Sequence, residues 1–306
     1  MIKNIIDILK DGGVVGMPTE TVYGLAASIE SPKGIDSIFS TKERPFFDPL
    51  IVHVCSIEQA KKYTKNWNEL ADKIAKHLWP GPVTLILEKN NLVSDKITSG
   101  LDYVGLRMPN HPLALELIES LGHPVAAPSA NKFKKTSPTT AQHVQEEFPS
   151  IEVIDGGKCT IGIESTVLGI FDDKILIYRP GMITINEIKE IIKDEKIEIR
   201  HEQSPVAPGQ LKHHYMPNTP VILTLKDQAL KIEDSSLLTN PGIYKLPQNA
   251  FEGAREIYSI FRDYDKKKYS SIIVEVTKDQ LQSEEFLGIM NRLEKAAMIN
   301  LTKNKS

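Results

Sequence analysis

The chain has 306 residues, 41% hydrophobic and 25% charged, with a formal net charge of −3. These proportions are ordinary for a globular chain with a sizeable core, and the length predicts about two domains. The acidic balance excludes a broad basic coat for duplex nucleic acid and leaves room only for a local basic groove.

No apolar run approaches the ~18 residues that a membrane helix needs, and charges interrupt Met1 to Lys10 too often for a signal peptide. Cys55 and Cys159 stand far apart, without CxxC or Cys/His spacing. They are expected as small core residues in a reducing cytoplasm, not as a disulfide framework or a structural zinc site.

Ile2, Ile5, Ile6 and Leu9 share one helical face, and Gly12-Gly13 stops that helix. Val14 to Pro18 reads as a buried strand, Gly34 to Thr41 as a short helix and Leu50 to Cys55 as a strand. Ser56 with Gln59 is a capping-box signature for the next helix, and Asn68 to Leu78 forms another. Val83 to Leu87 and Tyr103 to Met108 are expected strands. Pro112 to Leu121 is a helix ending at Gly122. Val125 to Ala127 is a short strand, and Ser137-Pro138 is expected to open a helix. Val167 to Tyr178 reads as a hairpin turning at Asp172-Asp173. Thr184 with Glu187 caps a helix to about Lys193, and Ile197 to Ile199 forms a last strand. Runs of this kind predict an α/β or α+β domain over residues 1–200 with a twisted, mixed sheet.

Residues 201–220 hold Pro205, Pro208, Gly209, Pro217 and Pro220, which leave little room for a regular element. This stretch reads as a linker, and its Lys212-His213-His214-Tyr215 segment is unusual for a passive spacer. Beyond it, Val221 to Leu225, Gly242 to Leu246 and Ser271 to Val276 are expected strands. Ala254 to Phe261 and Glu284 to Ala297 are expected helices. Residues 221–306 therefore form a small second α/β domain.

The basic and hydroxyl residues fall in short clusters at the ends of apolar runs. Gly12-Gly13 with Gly16, and Gly156-Gly157-Lys158, both miss phosphate-loop spacing and read as turns. Thr19-Glu20-Thr21 follows a strand, where its hydroxyls either cap a turn or face a cleft. Lys42 and Arg44 either complement a helix dipole or, held by Pro45 and Pro49, grip phosphate oxygens. Arg107 lies in an apolar strand and needs a carboxylate or phosphate, from protein or ligand. His53, Ser129, Asn131 and the Glu164-Ser165-Thr166 step stay ambiguous taken singly. No serine sits in GxSxG, and His213-His214 lacks a carboxylate or Cys at metal-ligand spacing.

Taken in order, these clusters form one series. It runs Pro18-Thr19-Glu20-Thr21-Val22-Tyr23-Gly24-Leu25, then Lys42-Glu43-Arg44-Pro45 with Asp48-Pro49-Leu50-Ile51-Val52-His53. Next come Trp79-Pro80-Gly81-Pro82-Val83-Thr84, Leu106-Arg107-Met108-Pro109 and Ala127-Pro128-Ser129-Ala130-Asn131. Ser137-Pro138-Thr139, Gly162 to Val167 and Arg179-Pro180-Gly181 close it. The series closely resembles the YrdC-like threonylcarbamoyl-AMP synthase family, almost continuously from residue 1 to about 200. The linker and tail resemble its two-domain form, with a small Rossmann-like second domain.

The resemblance implies a nucleotidyltransferase. L-threonine and bicarbonate give N-carboxy-threonine, which attacks the α-phosphate of ATP. Threonylcarbamoyl-AMP forms and pyrophosphate leaves, for later transfer by a partner complex to an adenosine beside a tRNA anticodon. It implies that Lys42 and Arg44 hold the phosphates, with Mg²⁺ carried by ATP. Arg44, Asp48, Tyr103, Ser129, Ser137, Arg179 and, from the linker acting as a lid, Tyr215 would line the ATP side. Thr21, His53, Arg107, Ala127 (through its backbone) and Ser165 would line the threonine side. Such chemistry asks for positioning and charge neutralisation, not a covalent nucleophile.

Asp48 departs from the pattern, standing where Asn is frequent, and would either support Mg²⁺ or weaken ATP binding. Gly169 stands where an acidic residue is common, and the second domain is short for the two-domain form. The alternatives are a carbamoyl transferase built on a related module, which the lack of a Cys-rich segment disfavours, and a non-catalytic double-stranded RNA or tRNA-binding module, which the charge disfavours.

Overall fold

The computed structural model describes residues 2–193, 196–202, 214–228, 230 and 232–303. The first domain opens with α1 (Ile2–Lys10), β1 (Val15–Met17), β2 (Gly24–Ser28), α2 (Pro32–Lys42) and β3 (Ile51–His53). It continues through α3 (Ile57–Lys61), α4 (Glu69–Leu78), β4 (Val83–Glu88), α5 (Asp95–Thr98), β5 (Tyr103–Arg107) and α6 (Pro112–Leu121). It closes with β6 (Val125–Ala126), α7 (Ala141–Glu147), β7 (Thr166–Ile170), β8 (Lys174–Arg179), α8 (Ile185–Ile192) and β9 (Glu198–His201). The second domain comprises β10 (Val221–Leu225), β11 (Pro241–Lys245), α9 (Ala250–Lys267), β12 (Ser271–Val276), α10 (Lys278–Gln282), α11 (Leu287–Ala296) and β13 (Ala297–Asn300).

The first domain carries a nine-stranded mixed sheet in the order β1-β2-β6-β3-β5-β4-β7-β8-β9. The β3–β5, β4–β7 and β8–β9 neighbours run parallel and the rest antiparallel. On one face Ile5 and Leu9 of α1 and Leu117 and Ile118 of α6 pack on Val15, Met17 and Val125. On the other, Ile35, Ile38, Ile74 and Ile188 cover Leu25, Val52 and Leu106. The second domain is a four-stranded parallel sheet in the order β11-β12-β10-β13. Its core extends into the first domain, where Val22, Ile163 and Met182 join Tyr258, Ile289 and Leu293.

Local chemistry explains most boundaries. The Ser31 side chain caps α2, with Pro32 in the first turn, and Thr184 and Glu187 form a full capping box on α8. Ser56 accepts from Gln59 N as expected, but Gln59 Oε1 accepts from Cys55 N instead of closing the box. Ser137-Pro138 does not open a helix; α7 starts at Ala141 behind a Thr140 cap. The expected helix Glu284 to Ala297 is a short 3-10 turn, then α11, then β13. In the linker, Tyr215 adopts a left-handed backbone (φ 63°) and Met216 bridges Lys135. Residues 203–213, including Lys212 and His213, lie outside the described residues. Among the described residues no helix is long and apolar enough to cross a membrane.

Candidate active site

Strand pairing gathers the site. Parallel pairing of β3 with β5 puts His53 opposite Arg107. Antiparallel pairing of β6 with β3 leads into Ala127, whose N–H donates to Ile51 O at 3.0 Å. Thr19 and Thr21 come from the turn between β1 and β2, Ser129 from the loop after β6, Ser165 from just before β7 and Arg179 from the end of β8. With Arg44, Glu164, His214 and Tyr215, these residues enclose a cavity of about 50 Å³.

The three arginines of this cavity are buried and held by neighbours. Arg107 Nη2 lies 2.7 Å from Glu20 Oε2, and Arg107 Nε donates to Gly81 O at 3.3 Å. The buried cation thus has a protein carboxylate beside it. Arg44 Nη2 pairs with Asp48 Oδ2 at 2.9 Å, and Arg44 also donates to the carbonyls of Asp48 and Pro49. Arg179 donates to Ser165 O and Ser165 Oγ, each at 3.1 Å, and Ser165 Oγ lies 2.8 Å from Thr84 Oγ1. Thr19 Oγ1 accepts from Thr21 N and Val22 N, so Thr19 caps its turn while Thr21 also faces the cavity.

The site tunes its ionisable groups by burial. Burial, with Arg107 beside it, holds His53 down at about 3, so its imidazole is neutral at ordinary pH. Burial also lowers His214 to about 3, against the pull of Glu164. Burial pushes Glu164 up, but Arg292, Arg179 and the Ser137 hydroxyl outweigh it and hold the carboxyl at about 2.

Four of the expected site residues stand elsewhere. Lys42 is 1% exposed, and its ammonium donates to the carbonyls of Ser129 and Asn131. It props the loop behind the cavity, and burial and Arg44 drive its pKa well below the usual lysine range. Asp48 is withdrawn into its pair with Arg44, where burial raises its pKa. Ser137 is fully buried and donates to Glu164 Oε1 at 2.6 Å. Tyr103 sits at the opposite end of β5 from Arg107, about 13 Å along the strand. There it is 40% exposed and meets Phe171 edge-on.

Sequence reasoning gave no role to Glu20, Arg292 or Tyr258. Glu20 stands inside the Thr-Glu-Thr step and is the carboxylate that Arg107 needed. Arg292 interrupts the apolar stripe Ile289, Met290, Leu293, Ala296 of α11, which is the signal that could have marked it.

The fold and site define a two-domain α/β protein whose enclosed, arginine-lined cavity suits small anionic ligands. Residues 7–181 match the family model described as telomere recombination. Residues 183–298 match that of the threonylcarbamoyl-AMP synthase C-terminal domain. A threonylcarbamoyl-AMP synthase of Pyrococcus abyssi is 36% identical, covering 96% of this chain and 93% of its own. One from Bacillus subtilis is also 36% identical, covering 95% and 91%. The crystal structure of P. abyssi Sua5 complexed with L-threonine superposes with a TM-score of 0.86 at 34% identity, covering 98% of this chain and 96% of that one. The chain belongs to the threonylcarbamoyl-AMP synthase family.

Proposed function

We propose that the chain is an L-threonylcarbamoyladenylate synthase. Threonine and bicarbonate condense to a carbamate with loss of water. A carbamate oxygen then bonds to the α-phosphorus of ATP as the bond to the pyrophosphate oxygen breaks. The carrying observation is the convergence of Arg44, Arg107 and Arg179 with neutral His53, Thr21 and Ser165 on one enclosed cavity. Three cations suit a substrate carboxylate and a triphosphate, and a buried lining limits the water that reaches a labile adenylate.

In this reading Arg107 meets the threonine carboxylate, with Glu20 and Gly81 O holding its guanidinium from behind. Thr21, His53, the Ala127 backbone and Ser165 shape the threonine side; the P. abyssi relative was solved with L-threonine, which supports threonine as the amino-acid substrate. Arg44, Ser129 and Arg179 face the nucleotide, and Tyr215 closes over it. Lys42 supports the Ser129–Asn131 loop and reaches a phosphate only by releasing those carbonyls. Mg²⁺ enters with ATP, and Asp48 could ligate it only by parting from Arg44.

The product is an activated threonylcarbamoyl group, to be consumed by transfer to a tRNA adenosine in a separate complex. Cys55 and Cys159 are free thiols, which suits the reducing cytoplasm. Incubation with ATP, Mg²⁺, threonine and ¹³C-bicarbonate is expected to give a labelled threonylcarbamoyl-adenylate by mass spectrometry. Unlabelled adenylate, or none, would contradict the scheme.

A further inference from the structure

Arg292 belongs to the second domain, yet it is 0% exposed and fixes the wall of the first domain's cavity. Its Nε lies 3.0 Å from Glu164 Oε2, and Nη2 donates to Glu164 O at 3.1 Å. Nη1 donates to Pro180 O and, at 3.2 Å, to Gly288 O. Its Cζ stands 5.5 Å from the centroid of the Tyr215 ring. Tyr258, also of the second domain, donates to the same Glu164 carboxylate at 3.0 Å.

Glu164 immediately precedes Ser165, and Pro180 immediately follows Arg179. One guanidinium therefore fixes the backbone beside two cavity residues that are themselves joined by the Arg179–Ser165 hydrogen bonds. Mere adhesion between domains does not call for this. The surrounding interface is already apolar, and a buried ion pair is often matched or bettered in stability by apolar side chains of similar volume. What a rigid planar fork adds is direction.

We propose that Arg292 is a positioning residue for the reaction. Docking of the second domain inserts it, aligns the Ser165–Arg179 wall and seats Tyr215 over the cavity. The inference rests on the synthase reading of that cavity.

The test uses the full-length chain as wild type, Arg292→Lys and the apolar pair Glu164→Gln with Arg292→Met. Two quantities are read, threonine-dependent pyrophosphate release and hydrogen exchange of residues 214–218. A misplacement of about 1 Å can cost about a hundredfold. Arg292→Lys is therefore expected to raise the threonine KM about tenfold or more and to speed exchange at 214–218 severalfold. The double variant leaves no uncompensated buried charge and is expected to stay folded, with a thermal midpoint lowered only by the carbonyls that Arg292 no longer satisfies. It is expected to recover neither KM nor protection, a loss in a folded chain that a purely structural role would not produce. A folded Arg292→Lys or double variant with wild-type KM and wild-type exchange overturns the proposal. Should the wild type show no threonine-dependent release, the synthase reading fails, and the exchange data still decide whether Arg292 seats Tyr215.

Discussion

Arg107 and Glu20 meet at 2.7 Å with each side chain only 5% exposed, so the cation proposed to meet threonine is held by a protein carboxylate. Removing one partner of such a pair leaves the other buried and uncompensated, at a typical cost of about 3–5 kcal/mol. Arg107→Ala should therefore lower stability by that order and raise the threonine KM. The double variant Glu20→Gln with Arg107→Met should regain most of the stability in urea melts and none of the threonine use. Full recovery of both would show that Arg107 serves the fold alone.

Lys42 makes a different forecast. Its ammonium satisfies the Ser129 and Asn131 carbonyls, and stranding buried acceptors costs about 1–3 kcal/mol. Lys42→Met should lower the thermal midpoint and raise the ATP KM more than the threonine KM, because the proposed function puts Ser129 on the nucleotide side. Steady-state kinetics with each substrate varied in turn make the comparison. An intact midpoint with a large loss of ATP use would place Lys42 directly on the phosphates.

The buried histidines set a pH dependence. His53 is held at about 3, His143 at about 4 and His214 at about 3. An unfolded chain takes up these protons near the ordinary histidine value of 6.5, whereas the folded chain resists until the lower values. The stability from their neutral burial is whole above that pH and drains as pH falls toward 3, at up to about 1.4 kcal/mol per pH unit for each histidine. Glu164, held at about 2 against the ordinary glutamate value of 4.5, adds a further loss between those values. Urea midpoints should fall steadily from pH 6.5 to pH 4.5, and a flat profile would contradict the burial.

Domain docking depends on Gly288. A Cβ there would stand 2.4 Å from Gly181 O, although alanine would favour the helix by about 1 kcal/mol. Gly288→Ala should still lower the thermal midpoint and reduce turnover, because α11 must back away and carry Arg292 with it. A more stable, fully active variant would mean that the interface yields easily.

Much of this was legible in the sequence, and what was not has physical reasons. Cations and hydroxyls at the ends of apolar runs marked the cavity, and His53, Arg107, Ala127, Ser165 and Arg179 do line it with Thr21, Arg44, Ser129 and Tyr215. The strand Gly24–Ser28 escaped notice because Gly-Leu-Ala-Ala-Ser lacks the β-branched residues that signal strands, and its pairing with β1 and β6 supplies what propensity does not. Periodicity cannot pair Glu20 with Arg107, nor Glu164 with Arg292, which lies 128 positions away. The burial of Lys42 was likewise hidden, since a lysine beside a helix end reads the same on a loop prop as on a phosphate.

Pyrophosphate release from ATP, measured with and without L-threonine and bicarbonate, bears most directly on the proposed activity. Release that requires both, with serine a much poorer substrate, is the predicted result. Release indifferent to threonine, or none at all alongside tight and salt-sensitive RNA binding, would contradict it.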